Sequence, residues 1–218
     1  MRFTKDEIRK AMLLYAVTDS SWLKEGQTLV QVVEDVLANG ATFLQIREKE
    51  MEHGAFLAEA RQLQAAAAAR RVPFVVNDAI DIALELDADG VHVGQSDMEA
   101  GRVRALLGED KLIGVSARTV EQALAAQAAG ADYLGVGAMF PTGTKQDTRP
   151  VSYDTLKAIC AAVDIPVVAI GGIGAGNVAE LAGSGIAGVA VVSALYAQPD
   201  VEAATRSLRA QVERVVGP

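Results

Sequence analysis

The sequence predicts an α/β fold, a single (β/α)8 TIM barrel in which eight parallel strands form a closed barrel surrounded by helices. Short apolar runs alternate with longer amphipathic segments along the whole chain. Glycines stand where helices are expected to end, and no linker rich in proline, serine or charge divides the 218 residues. We therefore expect one domain over residues 1–218.

Eight apolar runs have the length and composition of buried parallel strands, whose two covered faces favour aliphatic residues. Helical periodicity fills the intervals, for example in Leu29–Ala38, Gly54–Arg70 and Val120–Ala129. Pro73 and Pro166 stand at strand starts, where a missing N–H is tolerated. The predicted strands are Leu13–Val17, Phe43–Ile46, Phe74–Val76, Gly90–Val93, Leu112–Val115, Tyr133–Val136, Val167–Ile170 and Val189–Val192.

Strict alternation of strands and helices implies parallel pairing through right-handed crossovers. The competing architecture is an open doubly wound sheet, in which a glycine-rich turn follows the first strand. Here the first strand leads into Thr18-Asp19-Ser20 instead, so closure into a barrel is favoured.

Composition and charge argue against several classes of protein. The formal net charge is −8 and no basic run occurs, so nucleic acid and anionic membrane are poor partners. No signal core or bilayer-spanning stretch is evident, which predicts a cytoplasmic protein. The single cysteine, Cys160, has apolar neighbours and is interpreted as a buried, unreactive thiol. Apolar faces on outer helices leave a homodimer open.

Residues at the carboxyl ends of barrel strands face one shared rim, where binding and chemistry take place. The second strand ends in the segment Gln45–Lys49, and alternation directs Gln45, Arg47 and Lys49 to one side. Cations that point inward at a strand end indicate an anionic ligand. A solvated loop with an Arg–Glu pair is the alternative.

Two aspartates follow neighbouring strands. Asp78 ends the third strand in the pair Asn77-Asp78, and Asp97 follows the fourth in Gly94-Gln95-Ser96-Asp97. They are candidate ligands of Mg²⁺, which binds few carboxylates together with phosphate oxygens and water. The alternative is that each aspartate caps a helix. Together with the cations of the second strand, they indicate a metal–diphosphate site.

Later strand ends carry features that bind phosphate. The sixth strand leads into the segment 141–145, Pro-Thr-Gly-Thr-Lys, with two hydroxyls, a cation and a glycine that permits close backbone approach. Gly171-Gly172 and Val192-Ser193 follow the last two strands, where barrels often seat a phosphate. Ser116 ends the fifth strand, where capping or a turn explains a serine as well as ligand binding does.

The two histidines, His53 and His92, have no partner at the spacing of a metal site or a nucleophilic triad. His92 alternates with valines inside a strand, while Tyr15 and Trp22 lie near the first loop. We interpret all four side chains as structural.

These motifs, taken in order, resemble the thiamine-phosphate synthase family over nearly the whole chain. The resemblance implies a transferase of thiamine biosynthesis that joins an aminopyrimidine diphosphate to a thiazole phosphate, with release of diphosphate and Mg²⁺ as cofactor. No protein nucleophile is needed for this reaction, and none is evident. The matching segments are Gln45-x-Arg47-x-Lys49, Asn77-Asp78, Gly94-Gln95-Ser96-Asp97, Ser116, Pro141-Thr142-Gly143-Thr144-Lys145, Gly171-Gly172 and Val192-Ser193.

The resemblance also implies roles for individual residues. The residues implied to bind the pyrimidine diphosphate are Gln45, Ile46, Arg47, Glu48, Lys49, Asn77, Ser116 and Lys145. Those implied to bind the thiazole phosphate are Thr142, Gly143, Thr144, Gly172, Val192 and Ser193. Asp78 and Asp97 would hold Mg²⁺. The residues expected to assist catalysis are Arg47, Lys49, Ser116 and Lys145.

Three other functions are compatible with a barrel. A thiazole tautomerase of the same fold needs an acid and a base but no site for a metal and diphosphate, so the aspartates and cations argue against it. A sugar-phosphate epimerase or aldolase needs metal-binding histidines or a Schiff-base lysine, and neither occurs at the strand ends. A non-catalytic binder has no use for the set of cations and carboxylates.

Overall fold

The structure is a computed structural model and describes residues 3–48, 51–94, 100–143 and 150–217. They form a closed barrel of parallel strands in chain order, in which the last strand pairs with the first. The predicted fold is confirmed, and the predicted strand bounds are met within two residues. The strands are β1 (Leu14–Val17), β2 (Phe43–Ile46), β3 (Phe74–Asn77), β4 (Gly90–Val93), β5 (Leu112–Ala117), β6 (Tyr133–Val136), β7 (Val167–Ile170) and β8 (Gly188–Val191).

Helices surround the strands, as the periodicity predicts. Between β7 and β8 the helix is the short 3₁₀ helix Val178–Leu181, so the alternation of strands with helices is kept at this connection without an α-helix. Glycines at 174, 176, 183 and 185 disfavour an α-helix there. No helix within the described ranges is long and apolar enough to cross a bilayer. The helices are α1 (Lys5–Ala11), α2 (Leu29–Ala38), α3 (His53–Ala69), α4 (Ile80–Glu85), α5 (Ala100–Leu107), α6 (Val120–Ala128), α7 (Tyr153–Ala162), α8 (Ser193–Tyr196) and α9 (Val201–Val216), together with a 3₁₀ turn at Ser20–Trp22.

Side chains alternate between two cores along each strand. The outward residues pack with the helices in a large aliphatic core, whereas the inward residues fill the barrel. Ile8 and Met12, from α1 and its carboxyl end, belong to the inner cluster and pack against the inward residues. The inward members from the strands are Tyr15, Val17, Phe43, Val75, Leu112, Tyr133, Val168 and Ala190.

Glycines follow helices and prolines precede strands at the positions that the sequence predicts. Gly40 and Gly130, which follow α2 and α6, have φ angles of +124° and +91°, a left-handed region that favours glycine. Pro73 and Pro166 immediately precede β3 and β7, and their carbonyl oxygens accept hydrogen bonds from neighbouring strands.

Cys160 lies on α7, half-buried against the outer core. Burial raises the pKa of its thiol to about 11. The thiol is therefore protonated at neutral pH and is a poor nucleophile. This agrees with the interpretation of Cys160 as an unreactive residue.

Candidate active site

A cavity of about 340 Å³ opens at the carboxyl ends of the strands. Every strand, or the loop that follows it, contributes to its wall, which brings Gln45, Arg47 and Asn77 together with Ser116 and Ser193. The polar residues on the wall are Tyr15, Gln45, Arg47, Asn77, His92, Ser116, Arg118, Thr142 and Ser193.

Two guanidinium groups, those of Arg47 and Arg118, line this cavity. The backbone of Arg47 is fixed by a 2.9 Å hydrogen bond from its N–H to Thr18 Oγ1. The Nε of Arg118 donates to the carbonyl oxygen of Gly137 at 3.4 Å. Within the described ranges, neither guanidinium forms an ion pair with a carboxylate. Two cations in one cavity, without a paired carboxylate in the part of the chain that the structure describes, favour an anionic ligand.

Arg118 was missed by the sequence reasoning, although a signal for it was present. It follows Ser116 by two positions, just as Arg47 follows Gln45. Because side chains alternate along a strand, both arginines extend an inward-facing row beyond the strand end.

The side chains of Ile46 and Glu48 face away from the cavity, whose wall includes neither. Ile46 is fully buried in the outer core. Glu48 accepts hydrogen bonds from Thr18 Oγ1 at 3.2 Å and from Ser20 Oγ at 2.6 Å, so the alternative of an Arg47–Glu48 pair is not seen. Contacts of these two residues with a ligand would use backbone atoms. Lys49 lies outside the described residues.

The candidate metal site begins at the end of β3. Asn77 lines the cavity, and its Nδ2 donates to Oδ2 of the exposed Asp78 at 2.7 Å. Asp78 has a φ angle of +60°, an uncommon left-handed conformation for a residue with a side chain. The N-cap position of α4 is Ala79, so Asp78 is not the cap of this helix. Asp97 lies outside the described residues.

The loops after β6 and β7 form the second candidate anion site. They pair through hydrogen bonds from Met139 N to Ile170 O and from Phe140 N to Gly171 O, both at 3.0 Å. Gly172 has a φ angle of +67°, and a Cβ there would lie 2.5 Å from the carbonyl oxygen of Pro141. The close contact between the two loops therefore requires a glycine at 172.

Other residues of the predicted phosphate site lie on the same wall. Thr142, Val192 and Ser193 line the cavity, and Ser193 is the first residue of α8. Among the described residues, no backbone hydrogen bond uses the N–H groups of Gly172 and Ser193. Gly143 is exposed and does not belong to the wall, and Thr144 and Lys145 lie outside the described residues.

A buried chain of hydrogen bonds crosses the floor of the cavity. Gln45 Nε2 donates to the hydroxyl of Tyr15 at 2.7 Å, and this hydroxyl lies 2.8 Å from that of Tyr133. The Tyr133 hydroxyl lies 3.2 Å from His92 Nδ1, and His92 Nε2 lies 3.0 Å from Ser116 Oγ. Burial raises the pKa of both tyrosines well above the ordinary value, so both phenols are neutral.

The buried hydrogen bonds correct two interpretations made from the sequence. The sequence pattern predicts structural roles for Tyr15 and His92, yet both line the cavity and belong to one polar network. His53, in contrast, lies exposed at the start of α3 near Asp81 and Glu85, away from the cavity. Thr119 caps α6 and accepts from Gln122 N at 3.2 Å.

Comparison with known proteins decides the family. The family model described as thiamine monophosphate synthase matches residues 14–195. The chain belongs to the thiamine monophosphate synthase family.

Individual members of this family are similar over most of their length. The thiamine-phosphate synthase of Clostridium tetani is 46% identical over 195 residues, which are 89% of this chain and 93% of that protein. The one of Ruminiclostridium cellulolyticum is 48% identical over 195 residues, 89% and 92% of the two chains. The solved thiamine phosphate pyrophosphorylase of Pyrococcus furiosus superposes with a TM-score of 0.88 at 38% identity, and covers 96% of this chain and 100% of that one.

More distant structures share the fold alone. The (S)-3-O-geranylgeranylglyceryl phosphate synthase of Thermoplasma acidophilum superposes with a TM-score of 0.71 at 16% identity, and covers 99% of this chain and 100% of that one. The resemblance to the thiamine monophosphate synthase family inferred from the motifs is confirmed.

Glu59 on α3 and Tyr196 on α8 are polar residues near Glu48, which follows β2. Glu59 Oε2 and the Tyr196 hydroxyl are buried and have no hydrogen-bond partner among the described residues. Burial, and next the charge of Glu48, raise the pKa of the Glu59 carboxyl. Burial and then Glu48 also raise the pKa of Tyr196. An ionised Glu59 is therefore unfavourable in the folded chain.

We expect Glu59→Gln to raise the melting temperature by about 2 °C at pH above neutrality. The folded pKa of Glu59 is raised, so its contribution favours folding at low pH and is lost as the pH rises through that pKa. The gain from Gln should therefore vanish near pH 4. Thermal melts at both pH values check this, with the exposed Glu34→Gln on α2 as the matched control. Equal gains at both pH values would contradict the assignment.

Proposed function

We propose that this chain forms thiamine phosphate from an aminopyrimidine diphosphate and a thiazole phosphate, with release of diphosphate. The family assignment supports a transferase of thiamine biosynthesis. The observation that carries the proposal is a cavity lined by Arg47 and Arg118, neither of which pairs with a carboxylate among the described residues, and by glycines and a hydroxyl at the ends of β7 and β8. Such a cavity suits two phosphorylated substrates held side by side.

The pyrimidine diphosphate is assigned to the wall formed by β2, β3 and β5. Arg47, together with Lys49 and Lys145, would neutralise the charge that grows on the departing diphosphate. Arg118 has the same chemistry and lines the same cavity. Gln45, Asn77 and Ser116 would orient the ring, and Ile46 and Glu48 would contribute backbone contacts.

Among the described residues, Asp78 is the one proposed ligand of a magnesium ion, and its chemistry fits that role. Asp78 places an exposed carboxylate at the rim next to Asn77, and oxygen ligands of this kind suit Mg²⁺. Asp78 and Asp97 would hold the ion. When bound, Mg²⁺ supplies positive charge to the leaving diphosphate oxygens.

The thiazole phosphate is assigned to Thr142, Gly143, Thr144, Gly172, Val192 and Ser193. Hydroxyls and backbone N–H groups would bind its phosphate and aim the ring nitrogen at the pyrimidine. The bond between the methylene carbon and the diphosphate oxygen breaks, and its electron pair leaves with diphosphate. The lone pair of the thiazole nitrogen then forms the new carbon–nitrogen bond, so no protein nucleophile is required.

The direct test mixes the purified chain with both substrates and Mg²⁺ and measures thiamine phosphate and diphosphate. We expect equal amounts of both products, and none when either substrate is omitted. Diphosphate release without the thiazole would indicate simple hydrolysis. An absence of product would overturn the proposal, and a change in the thiazole substrate alone would favour the tautomerase.

A homodimer and a cytoplasmic location stay predictions. Three exposed leucines, Leu84, Leu106 and Leu124, lie on the consecutive helices α4, α5 and α6. Light scattering of the purified chain measures its oligomeric state directly.

A further inference from the structure

We propose that Tyr133 is a positioning residue, which transmits the direction of a buried hydrogen-bond chain that starts at Gln45 and thereby orients Ser116 through His92. The chain runs from Gln45 through both tyrosines and His92 to Ser116. This inference rests on the proposed function for its consequence in substrate recognition. The direction of the chain itself is tested without substrate.

The direction follows from counting protons. Each phenol carries one hydrogen and donates one hydrogen bond. Gln45 Nε2 donates to the Tyr15 hydroxyl, so the Tyr15 hydrogen is left for the Tyr133 hydroxyl at 2.8 Å. The hydrogen of Tyr133 then points to His92 Nδ1 at 3.2 Å.

The hydrogen-bond direction at His92 determines which atom donates in its contact with Ser116. Since Nδ1 of His92 accepts, its hydrogen lies on Nε2, the atom that faces Ser116 Oγ at 3.0 Å. Ser116 Oγ therefore accepts from His92 and uses its own hydrogen to donate elsewhere. The opposite order would give Tyr15 two donors, Gln45 and Tyr133, and leave its own hydrogen without an acceptor in the chain.

The reverse hydrogen-bond direction is energetically unfavourable because the two tyrosines are buried. Tyr15 is 1% exposed and Tyr133 is fully buried, so water does not satisfy a phenol hydrogen left unpaired. Gln45 is also buried, with 4% of its surface exposed. Burial further raises the pKa of both tyrosines, so neither loses the proton on which the order depends.

The two ends of the chain then have opposite hydrogen-bonding character. With Nε2 of Gln45 turned to Tyr15, the amide presents Oε1 as an acceptor, whereas the hydroxyl of Ser116 acts as a donor. An aminopyrimidine carries a complementary pair, an exocyclic amino donor and ring-nitrogen acceptors. A pyrimidine with an oxo group in place of the amino group would meet a mismatched acceptor, which is how buried polar groups reject analogues.

The first measurement is the ¹⁵N NMR spectrum of the substrate-free chain labelled at histidine. His53→Gln assigns the signals, because His53 and His92 are the two histidines. We expect His92 to carry its hydrogen on Nε2 at neutral pH, and Tyr133→Phe to shift it towards a mixture of tautomers. An Nδ1–H tautomer in the unmodified chain would overturn the proposal, whether or not the chain makes thiamine phosphate.

The second measurement is kinetic. Tyr133→Phe is expected to raise KM for the pyrimidine diphosphate about tenfold and to leave KM for the thiazole phosphate unchanged. Tyr153→Phe is the matched control, because its hydroxyl donates to Ala182 O at 2.7 Å away from the cavity. Equal increases in both KM values, or none, would refute the positioning role.

A second variant covers a failure of Tyr133→Phe to fold. Tyr15→Phe removes the preceding hydroxyl and should cause the same selective change in KM, with a smaller shift of the His92 tautomer. An unchanged KM for the pyrimidine diphosphate in a folded Tyr15→Phe variant would also contradict the proposed role of the hydrogen-bond chain.

Discussion

An Asp78→Asn variant is expected to lose at least about 100-fold in kcat/KM for thiamine phosphate formation, which corresponds to about 2.7 kcal/mol of transition-state stabilisation. Asparagine removes the charge proposed to hold Mg²⁺ but keeps the size of the side chain. It also tolerates the left-handed backbone at this position, where φ is +60°. Alanine would be strained there, so Asn separates the charge from the fold.

The backbone of this segment gives the check on structure. Asp78 N donates to His92 O at 2.9 Å, and the substitution leaves this hydrogen bond in place. The melting temperature should therefore change little, while the Mg²⁺ concentration needed for half-maximal activity should rise. Asp81→Asn, on α4 with its side chain 71% exposed, is the matched control and should retain full activity. Wild-type activity and Mg²⁺ dependence in Asp78→Asn would contradict the metal assignment.

The fold was predictable because its signals are local. Apolar runs, glycine stops and strand-start prolines each depend on a few neighbouring residues, and they located the strands within two positions. The convergence of Gln45, Arg47 and Asn77 on one cavity also follows locally, from alternation along strands whose carboxyl ends share a rim. The connection before β8 contains four glycines, at 174, 176, 183 and 185, and its helix is accordingly a short 3₁₀ helix.

The buried hydrogen-bond chain below the cavity was not predictable in the same way. Tyr15, Gln45, His92, Ser116 and Tyr133 lie on five different strands, and the register between strands determines which side chains meet. A tyrosine or histidine that alternates with valines looks like a packing residue when its partners are 24 to 118 positions away. A usable signal was the excess of polar residues at inward positions, since an unpaired polar group inside a barrel is costly.

Gly114→Ala is expected to lower the free energy of unfolding by about 3 kcal/mol, the upper range for overpacking a core. Gly114 faces the barrel interior on β5, where a Cβ would overlap the Tyr133 ring and His92 Nδ1. Both side chains are held by strands that pair with β5, so neither moves aside easily. Their displacement would also break the Tyr133–His92 hydrogen bond, so the pyrimidine KM should rise together with the loss of stability.

The same substitution at Gly101 separates steric overlap from the general effect of adding a methyl group. Gly101 lies on α5, and a Cβ there meets no atom within 4 Å. Because alanine favours helix more than glycine, Gly101→Ala should gain up to about 0.5 kcal/mol. Urea unfolding of both variants measures the contrast. Similar stabilities would mean that the interior around Tyr133 and His92 has room to rearrange, and then a fixed hydrogen-bond direction would lack the rigid packing that sustains it.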